Sequence, residues 1–208
     1  MIRRSIESDE VVDIYKSVGV DRPDISILNK DFLVDAKEKK SGRNIKLEML
    51  RQILNNEIRL RLPKNIQRYS TLREQVDKII ERYHKNAIDT YTAIVELYEH
   101  ARELQNEDKR KKELGLSDEE LAFYDILARH KDSIKEYDLI KELVKKVSKA
   151  VVNHLELDWH KKESARAAIR LAVKKVLRDK VQISVLKEIL LDVIEQAEGQ
   201  YKEWPMVG

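Results

Sequence analysis

Residues 71–112 read TLREQVDKIIERYHKNAIDTYTAIVELYEHARELQNEDKRKK, and this stretch decides the fold class of the chain. Its apolar side chains recur at steps of three and four, which places them on one face of a helix: Leu72, Val76, Ile79, Tyr83, Ala87, Tyr91, Ile94, Tyr98, Ala101 and Leu104. No Gly or Pro lies between Pro63 and Gly115, and Thr71 with Glu74 has the spacing of a capping box. The pattern predicts one helix of about 40 residues and about 60 Å that starts at Thr71.

A helix of this length cannot bury its apolar face alone, so other helices must pack along it. Similar apolar spacing predicts helices on both sides of it, over residues 8–18, 45–62, 117–129, 133–155, 159–180 and 184–201. Ser117, Ser133 and Asp158 are the predicted caps of three of them. We therefore expect an all-α, elongated helical domain along one long central helix, with antiparallel partner helices. It spans residues 1–208, with a possible subdivision into 1–114 and 115–208.

Composition narrows the class of protein further. Charged residues make up 38% of the 208 residues, with only five Gly and three Pro, which favours long amphipathic helices over a sheet. The absence of Cys excludes disulfides and thiolate metal sites. No apolar run is long enough to span a membrane, and the first ten residues lack the apolar core of a signal peptide. These features predict a soluble, cytoplasmic protein.

Several short stretches, in order along nearly the whole chain, resemble the C-terminal helical region of the R subunit of type I restriction enzymes. The stretches are Val12-Asp-Ile-Tyr15, Pro23-Asp-Ile-Ser-Ile-Leu28, Leu54-Asn-Asn-Glu-Ile58, Ile79-Ile-Glu-Arg-Tyr83, Glu113-Leu-Gly-Leu-Ser-Asp-Glu-Glu-Leu-Ala-Phe-Tyr-Asp125 and Leu157-Asp-Trp159. The resemblance implies a fragment of a longer subunit in which a nuclease domain and two motor lobes come first. Such a subunit uses ATP and Mg²⁺ to translocate and cut DNA, and its helical region joins it to the methyltransferase subunits.

The chain itself carries no convincing catalytic motif, so we do not expect an enzyme, a cofactor or a metal in this region. A phosphate-binding loop of the GxxxxGK[ST] type is absent. Asp24, Asp35 and Lys37 match the letters of a PD…DxK nuclease, and residues 32–34 resemble a strand, but that site needs a multi-stranded sheet that the helical pattern does not offer. The five histidines, none of them in an HExxH motif, are His84, His100, His130, His154 and His160.

Positive charge is concentrated in one segment. Residues 141–180 hold twelve Lys and Arg against five Asp and Glu, a local charge of +7, whereas residues 181–208 carry −3. Five cations recur at steps of four beside an apolar stripe: Lys162, Arg166, Arg170, Lys174 and Arg178. Like charges at this spacing repel each other on a helix, so an acidic neighbour is expected to offset them.

Three neighbours fit this basic row. The first is the last helix of the same chain, through Glu188, Asp192, Glu195 and Glu198. The second is duplex DNA, and the third is a methyltransferase subunit. An exposed Trp204, with Met206, is a further predicted anchor for a partner; removing residues 200–208 is then expected to weaken assembly and to leave folding intact. Steep salt dependence distinguishes a DNA-contacting module from an assembly module.

Overall fold

In a computed structural model, residues 25–204 are described, and they form nine α-helices. The helices are α1 (Lys30–Glu38), α2 (Arg43–Arg61), α3 (Ile66–His84), α4 (Thr90–Gln105), α5 (Glu107–Leu114), α6 (Asp118–Arg129), α7 (Ile140–Val152), α8 (Glu163–Leu177) and α9 (Ile183–Tyr201). Within these residues, β structure amounts to one antiparallel bridge between Ile134 and Val181. The all-α prediction is confirmed. The predicted helix over residues 8–18 lies outside the described residues.

The single long central helix is wrong, because residues 71–112 belong to three helices. α3 ends at His84, where Asn86 adopts a left-handed φ of 56°. The N–H of Ala87 then bonds to the carbonyl of Arg82 at 2.9 Å, which closes the helix C-terminus. Asp89 begins the next helix by accepting a hydrogen bond from the Thr92 N–H at 2.7 Å. Asn tolerates a left-handed backbone and Asp is a favoured N-cap. The residues at the break therefore themselves favour the end of α3 and the start of α4.

Thr71 does not start a helix either. α3 begins five residues earlier, at Ile66, and the Thr71 hydroxyl donates to the Gln67 carbonyl inside the helix at 2.9 Å. A serine or threonine within a helix often satisfies its hydroxyl in this way. The capping-box spacing at Thr71 and Glu74 is therefore coincidental.

Two of the other three predicted caps are also wrong. Ser117 caps α6 as predicted, with the reciprocal Glu120 contact in place. Ser133 instead accepts from the Gln182 N–H at 2.9 Å through its carbonyl, in the paired segment that flanks the bridge, and α7 starts only at Ile140. Asp158 has a left-handed φ of 57° and makes no side-chain cap, so α8 starts at Glu163. At Ser133, pairing with a distant segment overrides the local pattern.

The chain divides into two compact units. The first unit comprises residues 1–60 and 72–107, and it is described from residue 25 onward. In it, α1 packs on α4, where the rings of Phe32 and Tyr98 stack at 6.4 Å. The Asn29 side chain caps α1 by accepting a hydrogen bond from the Phe32 N–H. The fully buried apolar side chains of this unit include Ala36, Leu50, Ile53, Leu54, Ile58, Ala93, Ile94, Leu97 and Ala101.

The second unit comprises residues 61–71 and 108–208. In it, α7 packs on α6 and α8, and α9 packs on α6 and α8. Trp159 is completely buried in this core, and its Nε1–H donates to the Tyr201 carbonyl at 2.7 Å. Burial also raises the pKa of the Tyr201 hydroxyl to about 12. Trp159 thus holds the loop before α8 against the end of α9.

Buried polar groups hold residues 61–71 within this second unit. Gln196, only 1% exposed, accepts from the Ile66 N–H at 2.7 Å and donates to the Pro63 and Lys64 carbonyls at 3.3 and 3.1 Å. Gly199 lies so close that a Cβ there would be 2.8 Å from the Pro63 oxygen. Gln196 thus supplies partners to one amide and two carbonyls of this segment.

Candidate partner-binding groove

Arg166, Arg170 and Lys174 of the predicted basic row lie on α8, which packs on α9, and Lys162 and Arg178 flank the two ends of α8. Residues 178–182 connect these two helices, which pack against each other. At one end of the contact the Arg166 guanidinium pairs with Glu198 of α9 at 3.5 Å. Further along α8, Arg170 and Lys174 face an open groove. The steps of four place successive cations along the same edge of the helix.

The groove has an apolar floor and a basic rim. Its volume is about 460 Å³, and its lining residues are Arg170, Lys174, Ile183, Leu186, Lys187, Leu190 and Leu191. Leu186 and Leu190 are buried, whereas Ile183 is 80% exposed and Leu191 is 55% exposed. Large apolar side chains of this kind, grouped together and surrounded by polar residues, are typical of an interaction surface.

The five cations of the row differ in how they are paired. Lys162 contacts Glu156 at 3.1 Å. Arg166 contacts Glu163 at 2.6 Å, and the hydrogen bond raises the pKa of the guanidinium and lowers that of Glu163. Arg170 reaches the same carboxylate at 3.6 Å.

Lys174 and Arg178 form no ion pair with any described residue. The acidic side chains of α9 therefore meet the row at one point, through Glu198 and Arg166. Glu188 and Asp192 contact Arg129 of α6 instead. Pairing within the chain leaves the groove end of the row positively charged.

Sequence reasoning missed the α9 side of the groove. Ile183, Lys187 and Leu191 recur at steps of four, beside the buried positions of the same helix. This row was visible in the sequence, but an Ile and a Leu next to an apolar stripe usually extend the core. Only the packing of α8 leaves them exposed.

The predicted anchor Trp204 belongs to the packing of the second unit. Its indole is half-buried and meets the Tyr201 ring edge-to-face at 6.1 Å. The backbone N–H of Trp204 also donates to the Tyr201 carbonyl at 3.2 Å. Met206 lies outside the described residues. Because Tyr201 is itself buried, removal of residues 200–208 is now expected to destabilise the unit, contrary to the sequence-based expectation.

One cluster outside the groove has the residue types of a metal site. Ligand atoms of His130, Glu188 and Asp192 all lie within 4.8 Å of one another. The Arg129 guanidinium, however, donates to Glu188 at 3.0 Å and to Asp192, and it also contacts Gln67 at 2.7 Å. Burial lowers the pKa of His130 and raises that of Asp192. The Arg129 guanidinium thus supplies a positive charge to both carboxylates of the cluster.

The letters of the nuclease motif fall on a helix. Residues 32–34, which resemble a strand in sequence, are part of α1 together with Asp35 and Lys37. The Asp35 carboxylate contacts Lys39 at 2.6 Å and also Lys46, and Asp24 lies outside the described residues. Two ammonium groups on this carboxylate compete with Mg²⁺.

No helix among the described residues is long and apolar enough to cross a membrane.

Comparison with known proteins gives one consistent result. Residues 1–203 match a family profile described as "Type I restriction enzyme HindI endonuclease subunit-like, C-terminal". The putative type I restriction enzyme MjaIXP endonuclease subunit of Methanocaldococcus jannaschii is 30% identical over 205 residues, which is 97% of this chain and 20% of that protein. The type I restriction enzyme HindI endonuclease subunit of Haemophilus influenzae is 25% identical over 201 residues, 95% of this chain and 19% of that protein. No solved structure matches.

Proposed function

The chain belongs to the family of C-terminal regions of type I restriction enzyme endonuclease subunits, and from this premise we propose that it joins such a subunit to its methyltransferase subunits. It spans about a fifth of the length of the two curated relatives. The nuclease and the ATP-dependent motor, with their ATP and Mg²⁺, then belong to the remainder of the parent protein. This region contributes binding surface and no catalytic residue.

The groove between α8 and α9 is the observation that carries this proposal. Ile183 and Leu191 expose large apolar side chains to water, and covering apolar surface contributes about 25 cal/mol per Å². A contact that holds a motor on its partner needs such area, because an exposed ion pair contributes only about 0–1 kcal/mol. The groove combines that area with charges that guide association.

A DNA-contacting role for the same surface is the second candidate. The cations Arg170, Lys174 and Lys187 on the rim favour it, since phosphates are bound chiefly by Lys and Arg. Phosphate contacts, however, leave the apolar floor in water. If DNA is the ligand, affinity falls steeply with salt and is insensitive to the floor.

We expect Leu191→Glu, introduced into the full-length subunit, to weaken assembly with the methyltransferase subunits by about tenfold or more, because a carboxylate would be buried against apolar groups. Leu157→Glu is the matched control. Leu157 is 68% exposed in the loop between α7 and α8 and does not line the groove. Both residues are exposed, so neither variant should unfold.

Pull-down and sedimentation with the purified methyltransferase complex, in the absence of DNA, measure the effect. ATPase activity of the isolated subunit serves as a check on its integrity. Assembly of the Leu191→Glu subunit at wild-type affinity would contradict the proposal. Wild-type assembly combined with weakened DNA binding would favour the second candidate.

A further inference from the structure

The shape of the groove suits a helix. Its lining comes from two packed helices, α8 with Arg170 and Lys174, and α9 with Ile183, Leu186, Lys187, Leu190 and Leu191. An amphipathic helix that lies along such a pair buries its own apolar stripe, with contacts at steps of three and four. An extended peptide would need a sheet edge with free backbone groups, and α8 and α9 already bond their backbones internally.

The charge of the rim limits the occupant further. None of the seven lining residues is acidic, and three of them are cations: Arg170, Lys174 and Lys187. Lys174 and Lys187 form no ion pair with any described residue. Arg170 shares Glu163 with Arg166, which lies closer to that carboxylate, at 2.6 Å against 3.6 Å. A complementary occupant must therefore bring negative charge.

A nucleic acid supplies the negative charge but not the apolar surface that the groove requires. Its phosphates would meet the three cations, yet nothing in a phosphate backbone covers Ile183 and Leu191. A protein helix supplies both, with apolar side chains for the floor and carboxylates for the rim. Charge complementarity together with exposed apolar floor residues thus selects a protein partner.

We propose that the groove binds an acidic amphipathic helix of a methyltransferase subunit, an inference that rests on the proposed function above. Its apolar stripe lies on Ile183, Leu190 and Leu191. On one side its carboxylates face Arg170 and Lys174, which are one helical turn, or about 6 Å, apart. That spacing calls for two acidic residues three or four positions apart in the partner, with a further one near Lys187, which lies between Ile183 and Leu191 on α9.

Cross-linking identifies the occupant directly. A photoreactive benzophenone side chain is placed at Ile183 of the full-length subunit, which is assembled with the methyltransferase complex without DNA and irradiated. We expect the cross-linked peptide to come from a methyltransferase helix with acidic residues three or four positions apart. The same side chain placed at Leu157 is the control, and we expect it to yield no such cross-link.

Charge reversal tests the electrostatic part. Lys187→Glu should weaken assembly about tenfold, whereas Lys175→Glu, an exposed lysine of α8 that does not line the groove, should leave assembly unchanged. Reversing the nearest carboxylate of the cross-linked helix to Lys should restore binding of Lys187→Glu.

The outcomes separate this inference from the proposed function. Loss of assembly in Leu191→Glu, with wild-type binding of Lys187→Glu or a cross-link to a segment without carboxylates, would overturn the acidic helix and leave the assembly role standing. Wild-type assembly of both Leu191→Glu and Lys187→Glu, with no cross-link to a methyltransferase subunit, would overturn both.

Discussion

Replacing Trp159 with alanine is expected to lower the free energy of unfolding by about 3–5 kcal/mol. Trp159 is completely buried among the helices of the second unit and is one of its largest core side chains. Alanine would leave a cavity that the surrounding helices cannot fill by small shifts. The substitution would also remove the donor to the Tyr201 carbonyl.

Trp159→Phe separates packing from hydrogen bonding. Phenylalanine fills most of the volume but removes the 2.7 Å donor to the Tyr201 carbonyl, which keeps its 3.2 Å bond from the backbone N–H of Trp204, so the loss is about 0.5–1.5 kcal/mol. Chemical denaturation of the variants, with Leu157→Ala as an exposed control, gives the comparison. A loss of less than about 1 kcal/mol for Trp159→Ala would show that this side chain is not at the centre of the core.

The second large effect is expected at Gly199, where valine should lower the free energy of unfolding by about 2–4 kcal/mol. A Cβ at this position would be 2.8 Å from the Pro63 carbonyl oxygen and 3.2 Å from Ile66 Cδ1. The nearest atom belongs to the backbone, which cannot rotate away as a side chain can, so the segment around Pro63 must move away from α9. That movement would stretch the three hydrogen bonds that Gln196 makes to it.

Gly199→Ala tests whether a single Cβ at this position raises or lowers the free energy of unfolding. In an exposed helix the change from Gly to Ala stabilises by about 1 kcal/mol, and here the contact with Pro63 opposes that gain. We expect a net loss, smaller than that for valine, measured by denaturation. Glu195→Val, at an exposed position one turn earlier in α9, is the control for the β-branched side chain. Stabilisation by Gly199→Ala would contradict the close approach of Pro63.

Apolar periodicity predicts most of the helices because it reports which face each one buries. The predicted limits of α2 and α9 agree with the structure to within about two residues. The sequence does not predict the break after α3 from Gly or Pro, since the break contains neither; Asn86, with its left-handed φ, and Asp89, as an N-cap, form it instead. Ser133 shows a different limit, because its role depends on pairing with a segment about fifty positions away.

The candidate site was only half visible in the sequence. Steps of four identified the basic edge of α8, since charge and spacing are local properties. The apolar floor depends on which face of α9 the neighbouring helices leave uncovered, and Ile183 and Leu191 look like core residues until that packing is known. Trp204 shows the opposite error: the sequence predicts an exposed side chain, and the structure has it half-buried. A residue near the end of the chain belongs to no periodic pattern that would reveal its contact with Tyr201.

The most direct test of the assembly role is lysine acylation of the full-length subunit, alone and in complex with the methyltransferase subunits, without DNA. Lys174 and Lys187 line the groove, and the neighbouring exposed Lys175 does not. A docked partner should therefore protect Lys174 and Lys187 from the reagent and leave Lys175 as reactive as in the free subunit. Equal reactivity of all three lysines in the free and assembled states would contradict docking at the groove.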